Sequence, residues 1–500
     1  MKQLIHNGVL VPAKPEWKQL HITVGGKRFD LTPEQEEMAI AWVKKLGTEY
    51  AEDTVFTQNF FEDFREALGV KERIPPDDFD FSPVTKQVER EKAYKQSLTK
   101  DEKKKLAAAR KIVREENKRK FGYATVDGEK VEVGNYNAEP SSIFMGRGKH
   151  PLRGRWKRGP SKCDIILNLS PDAQRPPGQW KDIVWQPDCM WIAKWDDKLR
   201  GKEKYVWLAD SSPLKQEKDI EKFEKAIELG RKIDDVRDHI TANLGAEDIM
   251  RRKIATVCYL IDVLKLRVGD EKERDEADTV GATTLRPEHI TFGKNQVATF
   301  DFIGKDAVRW QKRAKLHKQV SANIQEFVKS AQSSVFEGVG SQNVSQFLDE
   351  VIPGLSAKVF RTYHASKVVD EFLNSSQISQ PDPEYEKKHV ATMANLEAAI
   401  VCNHRRKPPK KWKESLARKM DRLKKLRAKA TPSAKKRARM LQYKIKTYRE
   451  TRDYNLGTSL KSYIDPRIYY EWGEKVNFGW KLYYPKTLQK KFSWVECESD

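Results

Sequence analysis

A tyrosine near the C-terminus, Tyr463, follows a long stretch that is rich in lysine and arginine. A tyrosine hydroxyl held among cations can attack a phosphodiester and carry the cut end of a nucleic acid as a covalent ester. Most tyrosines are core or interface residues with a satisfied hydroxyl, so this residue alone does not establish such chemistry. The hypothesis depends on whether the chain supplies the partners that the nucleophile needs.

Those partners follow from the chemistry of phosphoryl transfer. The transition state carries extra charge on two non-bridging oxygens, which need fixed hydrogen-bond donors, and the departing 5′ oxygen needs an acid. Because the ordinary pKa of tyrosine is about 10, the nucleophile also needs a cationic setting.

The composition favours a soluble protein with a polyanionic partner. The 500 residues carry a formal net charge of +22, and each phosphate that such a surface neutralises releases counterions. A basic surface of the ribosomal kind would share this charge. There is no apolar stretch of about 18 residues and no N-terminal signal region, so we expect an intracellular protein without membrane contact. The five cysteines lack a CxxC pair, which favours a reducing compartment and neither zinc nor disulfides.

Residues 1–205 mix strand and helix patterns. A hairpin is predicted around Gly25 and Gly26, and a helix is predicted from Pro33. The charged residues 86–120 predict an exposed helical pair, the second helix being capped by Thr99. A Gly- and Arg-rich loop at 146–159 would let the backbone approach phosphates.

Residues 206–407 favour a mostly helical region. A helical pattern runs to Val268, with Gly269 expected to stop the helix. Alternating residues predict a β-hairpin with its tip at Gly304-Lys305-Asp306.

The pattern of residues 408–455 predicts a basic linker of two antiparallel helices. This linker leads to a C-terminal domain at 456–500. Residues 407–450 contain eighteen Lys or Arg against three Asp or Glu. Two apolar stripes, separated by Thr431-Pro432-Ser433, predict narrow packing seams. A solvated charged hairpin is the alternative, but the charge bias favours contact with a polyanion.

Several motifs, in the same order along the chain, resemble those of eukaryotic-type DNA topoisomerase I, the type IB topoisomerases. The run from Ser459 to Arg467 resembles the active-site tyrosine motif, and Phe144–Pro151 resembles a DNA-contacting loop near the cleavage site. Four further motifs (LKLRVGDEK, FDFIGKD, AKVFRTY and IVCNHR) resemble those of the other catalytic residues, which fall on Arg267, Lys305, Arg361 and His404. Each of these residues alone has an ordinary structural explanation; together they favour the site.

The resemblance implies an enzyme that nicks one DNA strand through a 3′-phosphotyrosyl link at Tyr463, lets supercoils of either sign rotate out, and reseals the strand. Arg267 and Arg361 would donate to phosphate oxygens. His404 would donate as well, its protonated form favoured by a helix C-terminus. Lys305 would be the general acid, with a pKa lowered by desolvation. DNA contacts are expected at Arg147, Lys149, His150, Asp306, Lys358 and Ser462.

No phosphate-binding GxxxxGK[ST] loop or HExxH motif occurs, and religation can use the energy of the phosphotyrosyl bond, so we expect no requirement for ATP or metal. The expected fold is α+β and multi-domain. It would be a bilobed clamp with a mixed α/β cap, a mostly α-helical catalytic lobe resembling tyrosine recombinases, a helical-hairpin linker and a small C-terminal helical domain. A monomer would enclose double-stranded DNA. A tyrosine recombinase and a non-catalytic architectural DNA-binding protein are the alternatives.

Two departures from the family pattern shape further expectations. The chain begins almost at the family's core and its linker is short, which resembles compact archaeal members acting on nucleoid DNA; a eukaryotic member would act in the nucleus. Ser462 stands where eukaryotic members usually have Asn. Because the family's camptothecin site includes that position, we expect weak camptothecin sensitivity.

Overall fold

The computed structural model describes residues 1–270, 279–429 and 431–496, without the side chain of Asp306. Its internal contacts divide the chain into a first unit, Met1–Ser212, and a second unit that begins at Pro213. Both units combine helices with small sheets, so the α+β prediction is confirmed. The finer division into four parts stays a prediction. Among the helices of the described residues, none has the length and apolarity that a membrane crossing needs.

The first unit consists of small sheets and four long helices. Its strands are β1 (Leu4–His6), β2 (His21–Val24), β3 (Lys27–Asp30), β4 (Phe79–Asp80), β5 (Tyr123–Val126), β6 (Glu129–Glu132), β7 (Ser142–Ile143), β8 (Trp156–Lys157), β9 (Ile166–Asn168), β10 (Asp182–Val184), β11 (Trp191–Asp196) and β12 (Glu203–Trp207). Its helices are α1 (Pro33–Val43), α2 (Thr54–Leu68), α3 (Ser82–Ser97) and α4 (Lys100–Phe121). The sheet orders are β1-β5-β6, β3-β2-β4, β7-β8 and β10-β9-β11-β12.

The core of this unit is aromatic. Residues Phe56, Phe60 and Phe64 recur every fourth position of α2, so they share one helix face and are fully buried. Trp42 of α1 stacks on Phe60 with ring centroids 4.7 Å apart. This packing fixes α2, which in turn supports the Gly- and Arg-rich loop described below.

Several local predictions for the first unit are confirmed. The β2–β3 hairpin turns at Gly25 and Gly26, which have φ of 54° and 80°. The exposed helical pair is α3 and α4, and Thr99 caps α4 through a reciprocal capping box with Glu102. No residue of α4 is buried.

The second unit is mostly helical. Its strands are β13 (Ile290–Phe292), β14 (Val297–Gly304) and β15 (Val308–Lys315), in that order in one antiparallel sheet. Its helices are α5 (Pro213–Arg231), α6 (Ile233–Asn243), α7 (Ile249–Leu264), α8 (Lys318–Ser330), α9 (Ser341–Asp349), α10 (Ala357–Ser375), α11 (Glu384–Val401), α12 (Trp412–Arg427), α13 (Pro432–Glu450), α14 (Leu456–Ser462), α15 (Pro466–Val476) and α16 (Lys486–Lys491). The predicted hairpin is β14–β15, with Lys305–Ala307 at its tip.

The expected helix stop at Gly269 is wrong. Helix α7 ends at Leu264 because Lys265 adopts the left-handed conformation, with φ of 61°. Its Nζ donates to the carbonyl oxygen of Asp262 at 2.7 Å, which satisfies a group left open at the helix end. Gly269 serves a different purpose: a Cβ there would lie 2.7 Å from the Cα of Gly281, so the glycine permits two loop segments to pack closely.

Helix α10 belongs to two hydrophobic cores of the second unit. Its first half, including Phe360, packs with α6–α9 and the β-sheet. Its second half, including Ala365 and Val369, packs with α11 and the C-terminal helices, in the core that also holds Tyr463. One helix thus holds the C-terminal segment against the rest of the unit.

The basic linker is the predicted pair of helices, α12 and α13. Leu423, Leu441 and Ile445 are buried in their seam, and Trp412 stacks on Tyr448 at 5.6 Å. Helix α13 also packs on α11, where the Glu386 carboxylate receives Arg439 at 2.9 Å.

The two ends of this linker are held side by side. The amide of Asn455 donates to the carbonyl oxygen of His404 at 2.7 Å, and the amide of Arg406 donates to that of Asp453 at 2.8 Å. We call these paired segments, 404–406 and 453–455, the backbone clasp. It returns the chain to the place that it left, and helix α14 starts directly afterwards.

Candidate active site

Tyr463 lies at the C-terminal end of α14 and is 5% exposed. Its amide donates to the carbonyl oxygen of Ser459 at 2.9 Å. Its own carbonyl oxygen accepts a hydrogen bond from Ser366 Oγ of α10 at 3.2 Å. The backbone of the tyrosine is therefore fixed from both sides.

Arg267 contacts the tyrosine hydroxyl directly. Its Nη1 donates to Tyr463 Oη at 2.8 Å, across 196 positions of sequence. The arginine lies in the loop after α7, and this loop is pinned because the amide of Ala282 donates to the Arg267 carbonyl oxygen at 2.9 Å. A guanidinium can only donate, so the tyrosine oxygen is the acceptor of this charge-assisted bond.

Arg361 lies beside the same ring and is 4% exposed. Its guanidinium donates to the carbonyl oxygens of Lys265 and Cys402, each at 2.9 Å. The guanidinium carbon is 5.0 Å from the centroid of the Tyr463 ring. The left-handed turn at Lys265 thus has a second consequence, since it supplies an acceptor that holds Arg361 in place.

His404 completes the cluster after the end of α11. Its ring centroid is 5.2 Å from that of Tyr463, its Nε2 is 3.2 Å from Arg361 Nη2, and its Nδ1 is 2.7 Å from Ser459 Oγ. Burial, followed by the charges of Arg361 and Arg267, lowers the pKa of His404 to about 3. The expectation that the helix C-terminus favours the protonated form is wrong for this structure, because desolvation and two nearby cations outweigh that dipole.

This lowered pKa predicts that acid destabilises the second unit through His404. Between pH 6.5 and about 3 the unfolded chain binds a proton at His404 that the folded chain does not. The contribution of His404 to the free energy of unfolding is therefore fully present above pH 6.5 and is lost as the pH drops. We expect a His404→Gln variant to lose less stability than the wild type between pH 7.5 and 4.5. Urea unfolding at both pH values measures this, and equal losses in the two proteins would contradict it.

The fifth predicted catalytic residue, Lys305, differs from the other four in its exposure and hydrogen bonding. The residue is exposed at the β14–β15 tip, and within the described residues no hydrogen bond joins it to the other four. The desolvation expected for Lys305 is found instead at Lys265, whose pKa burial lowers to about 8. The Asp306 side chain lies outside the described part of the structure.

The other expected DNA contacts in the second unit lie close to the cluster in sequence. Lys358 is exposed on the first turn of α10, one turn before Arg361, and Ser462 is partly exposed directly before Tyr463. Their roles stay predictions.

The expected DNA-contacting loop of the first unit joins β7 to β8. Arg147 and Lys149 are exposed in it, whereas His150 is 6% exposed, packs on Phe144 and accepts the Leu152 amide at its Nδ1. Helix α2 supports the loop, since a Cβ at Gly154 would lie 2.0 Å from the Phe56 carbonyl oxygen. The structure therefore exposes the arginine and the lysine of this loop and gives the histidine a packing position.

Sequence reasoning missed three residues that position the cluster: Ser459, Ser366 and Lys265. Ser459 lies within the tyrosine motif, and its spacing of one helical turn from Tyr463 is the signal that could have identified it. No pattern in the sequence marks Ser366 or the left-handed turn at Lys265.

The geometry defines a class of site. One guanidinium donates to the hydroxyl of a buried tyrosine, and a second guanidinium and an imidazole lie beside its ring. This is the cationic, donor-rich setting that a tyrosine nucleophile needs to act on a phosphodiester. Within the described residues, no group of three or more His, Cys, Asp or Glu side chains is placed to hold a metal ion.

Comparisons with known proteins identify the family. Residues 1–208 match the DNA binding fragment of eukaryotic DNA topoisomerase I, residues 211–438 its catalytic core, and residues 435–500 the C-terminal topoisomerase domain. DNA topoisomerase 1 of Homo sapiens is 32% identical over 547 residues, which cover 99% of this chain and 70% of that protein. The chain therefore belongs to the eukaryotic DNA topoisomerase I family.

Other relatives are similar along the same region. DNA topoisomerase 1 beta of Arabidopsis thaliana is 36% identical over 539 residues, covering 99% of this chain and 58% of that protein. DNA topoisomerase 1 of Drosophila melanogaster is 34% identical over 507 residues, covering 95% of this chain and 52% of that protein. The chain thus spans between 52% and 70% of the length of these three relatives.

Proposed function

We propose that this chain is a type IB DNA topoisomerase, which relaxes positive and negative supercoils by cutting one strand, letting it rotate and resealing it. The observation that carries the proposal is the hydrogen bond from Arg267 Nη1 to Tyr463 Oη at 2.8 Å. It joins two residues from distant motifs at the atom that would attack DNA. Membership of the DNA topoisomerase I family supports the same activity.

The proposed cleavage step exchanges one phosphate ester for another. Tyr463 Oη attacks the phosphorus while its proton passes to solvent, and the bond from phosphorus to the 5′ oxygen breaks. Arg267 and Arg361 donate to the non-bridging oxygens as their charge develops. The 5′ oxygen leaves with a proton from Lys305. Bound DNA must draw this lysine from its exposed position to the site. In religation the 5′ hydroxyl attacks the phosphotyrosyl ester and releases Tyr463. Because that ester keeps the bond energy of the cut phosphodiester, the proposed reaction needs neither ATP nor metal.

We propose double-stranded DNA as the partner, held by one copy of the chain. The exposed cations of the loop at 146–159, Arg147 and Lys149, and the linker helices supply positive charge for the phosphate backbone. The match of residues 1–208 to a DNA binding fragment supports this role. The clamp around the duplex that the resemblance implies stays a prediction. The place of action would be chromosomal DNA, in a nucleoid or in a nucleus.

Plasmid relaxation tests the proposal most directly. The chain should relax both positively and negatively supercoiled plasmid in EDTA without ATP, and denaturant should trap protein on a 3′ DNA end. Failure to relax either substrate would overturn the topoisomerase assignment. Relaxation of plasmids without a shared sequence argues against a recombinase, which needs specific sites and partner protomers.

Ser462 provides a prediction about drug sensitivity. Camptothecin should trap fewer cleavage complexes with the wild type than with a Ser462→Asn variant, because the expected drug site includes this partly exposed position before Tyr463. The measurement is the yield of denaturant-trapped covalent complex against drug concentration. Equal yields from the two proteins would show that position 462 does not set the sensitivity.

A further inference from the structure

Ser459 connects the histidine of the cluster to its tyrosine. Its Oγ is 2.7 Å from His404 Nδ1, and its carbonyl oxygen accepts the amides of Tyr463 at 2.9 Å and Ile464 at 3.1 Å. The residue is fully buried. A hydroxyl in such a place needs a hydrogen-bond partner, and His404 is the one that the geometry provides.

The hydrogen-bond donors around His404 determine which ring nitrogen carries the proton. A guanidinium can only donate, so Arg361 Nη2, at 3.2 Å, requires His404 Nε2 to accept. The neutral ring must then carry its proton on Nδ1, and Ser459 Oγ is its acceptor. The hydrogen bond at one nitrogen of an imidazole thus determines the state of the other.

We infer that Ser459 is a positioning residue of the reaction: its hydroxyl holds the Nδ1–H of His404 and thereby directs Nε2 toward Arg361 and the scissile phosphate. The inference rests on the proposed function. Ser459 contacts neither the tyrosine hydroxyl nor the phosphate, so it acts through the histidine.

A bound phosphodiester changes the charge around the ring. Among the described residues, the charged and titratable groups that contact the His404 ring or act on its pKa are Arg361, Arg267 and Tyr463. A phosphate monoanion offsets the two arginines and engages their donors, so Nε2 can take a proton from solvent and donate it to a non-bridging oxygen. The Nδ1–H stays on Ser459 Oγ, where a charge-assisted bond stabilises the imidazolium.

The Ser459 backbone gives this arrangement a second effect. Since the same residue holds the amide of Tyr463, a shift of helix α14 moves the nucleophile and the histidine partner together. His404 Nε2 and the tyrosine therefore keep their positions relative to each other, and so to the attacked phosphate.

Single-turnover cleavage of a nicked suicide DNA substrate tests the inference in full-length protein. Ser459→Ala should slow cleavage about tenfold, as expected for one lost hydrogen bond, with DNA affinity unchanged. The alkaline limb of its pH profile should move about one pH unit lower, because the imidazolium has lost its acceptor. Ser459→Thr, which keeps the hydroxyl, should restore both the rate and the profile.

A double-mutant cycle separates this role from simple support of α14. In a His404→Ala background, Ser459→Ala should change the cleavage rate less than about twofold, because coupled residues lose their effects together. If Ser459→Ala slows cleavage equally in both backgrounds, or does not slow it in the wild-type background, the inference is overturned. The proposed function would still stand in that case, because the wild type cleaves DNA. A wild type that forms no covalent complex would instead overturn the proposed function itself.

Discussion

Replacing Tyr463 by Phe should abolish plasmid relaxation and covalent DNA attachment while leaving DNA affinity almost unchanged. The substitution removes the single atom that attacks phosphorus, and loss of a catalytic nucleophile typically costs at least about 10⁴ in rate. The ring keeps its place because its contacts with Arg361 and His404 involve the aromatic face. Relaxation assays and filter binding on the same preparation measure the two quantities.

The chain offers a matched control in Tyr469. Its hydroxyl is buried in the same hydrophobic core and donates to the carbonyl oxygen of Ala391 at 3.0 Å. Tyr469→Phe should cost about 1 kcal/mol of stability and leave relaxation intact. Relaxation by the Tyr463→Phe variant would contradict the proposed mechanism. An architectural DNA-binding protein would instead show no measurable difference between this variant and the wild type.

Replacing Arg361 by Ala should reduce the rate of DNA cleavage by about 10³, the typical cost of one lost transition-state donor. Arg361→Lys should recover little, because an ammonium cannot reproduce a planar fork that reaches two carbonyl oxygens and the histidine. Single-turnover cleavage measures both effects. Glu371→Ala, an exposed change on the same helix, should cleave at the wild-type rate.

The Arg361→Ala variant should also raise the pKa of His404. The charge of Arg361 is the largest cause of the lowered pKa after burial, so its removal makes the imidazolium less unfavourable. Proton NMR titration of the His404 ring should show a midpoint above that of the wild type. An unchanged midpoint would mean that the charge of Arg361 does not act on the protonation state of His404, which would contradict the electrostatic coupling between these two residues.

Local features of this fold could be predicted from the sequence because neighbouring residues determine them. The capping box at Thr99, the β14–β15 tip and the two linker helices each depend on a few adjacent side chains. The end of α7 could not, because Lys265 adopts a backbone conformation that its residue type disfavours. Tertiary contacts, including the bond from Arg361 to the Lys265 carbonyl oxygen, hold it there.

The candidate site divides in the same way. Motifs indicated Arg267, Arg361, His404 and Tyr463, and the structure brings these four together. The protonation state of His404 could not be predicted, because it depends on arginines 43 positions away and further in the chain. The exposure of Lys305 was equally hidden, since a hairpin pattern gives the tip but not what packs against it.

The backbone clasp makes the linker a part whose length can vary freely. Its two segments meet through main-chain hydrogen bonds, so they depend little on which side chains lie between them. Helix pairs of different length could join the same two ends, because the entropy of closing a longer loop rises only slowly with its length. Natural variation should therefore accumulate between the end of α12 and the start of α13. The length of the basic linker could then change in evolution while the position of Tyr463 stays the same.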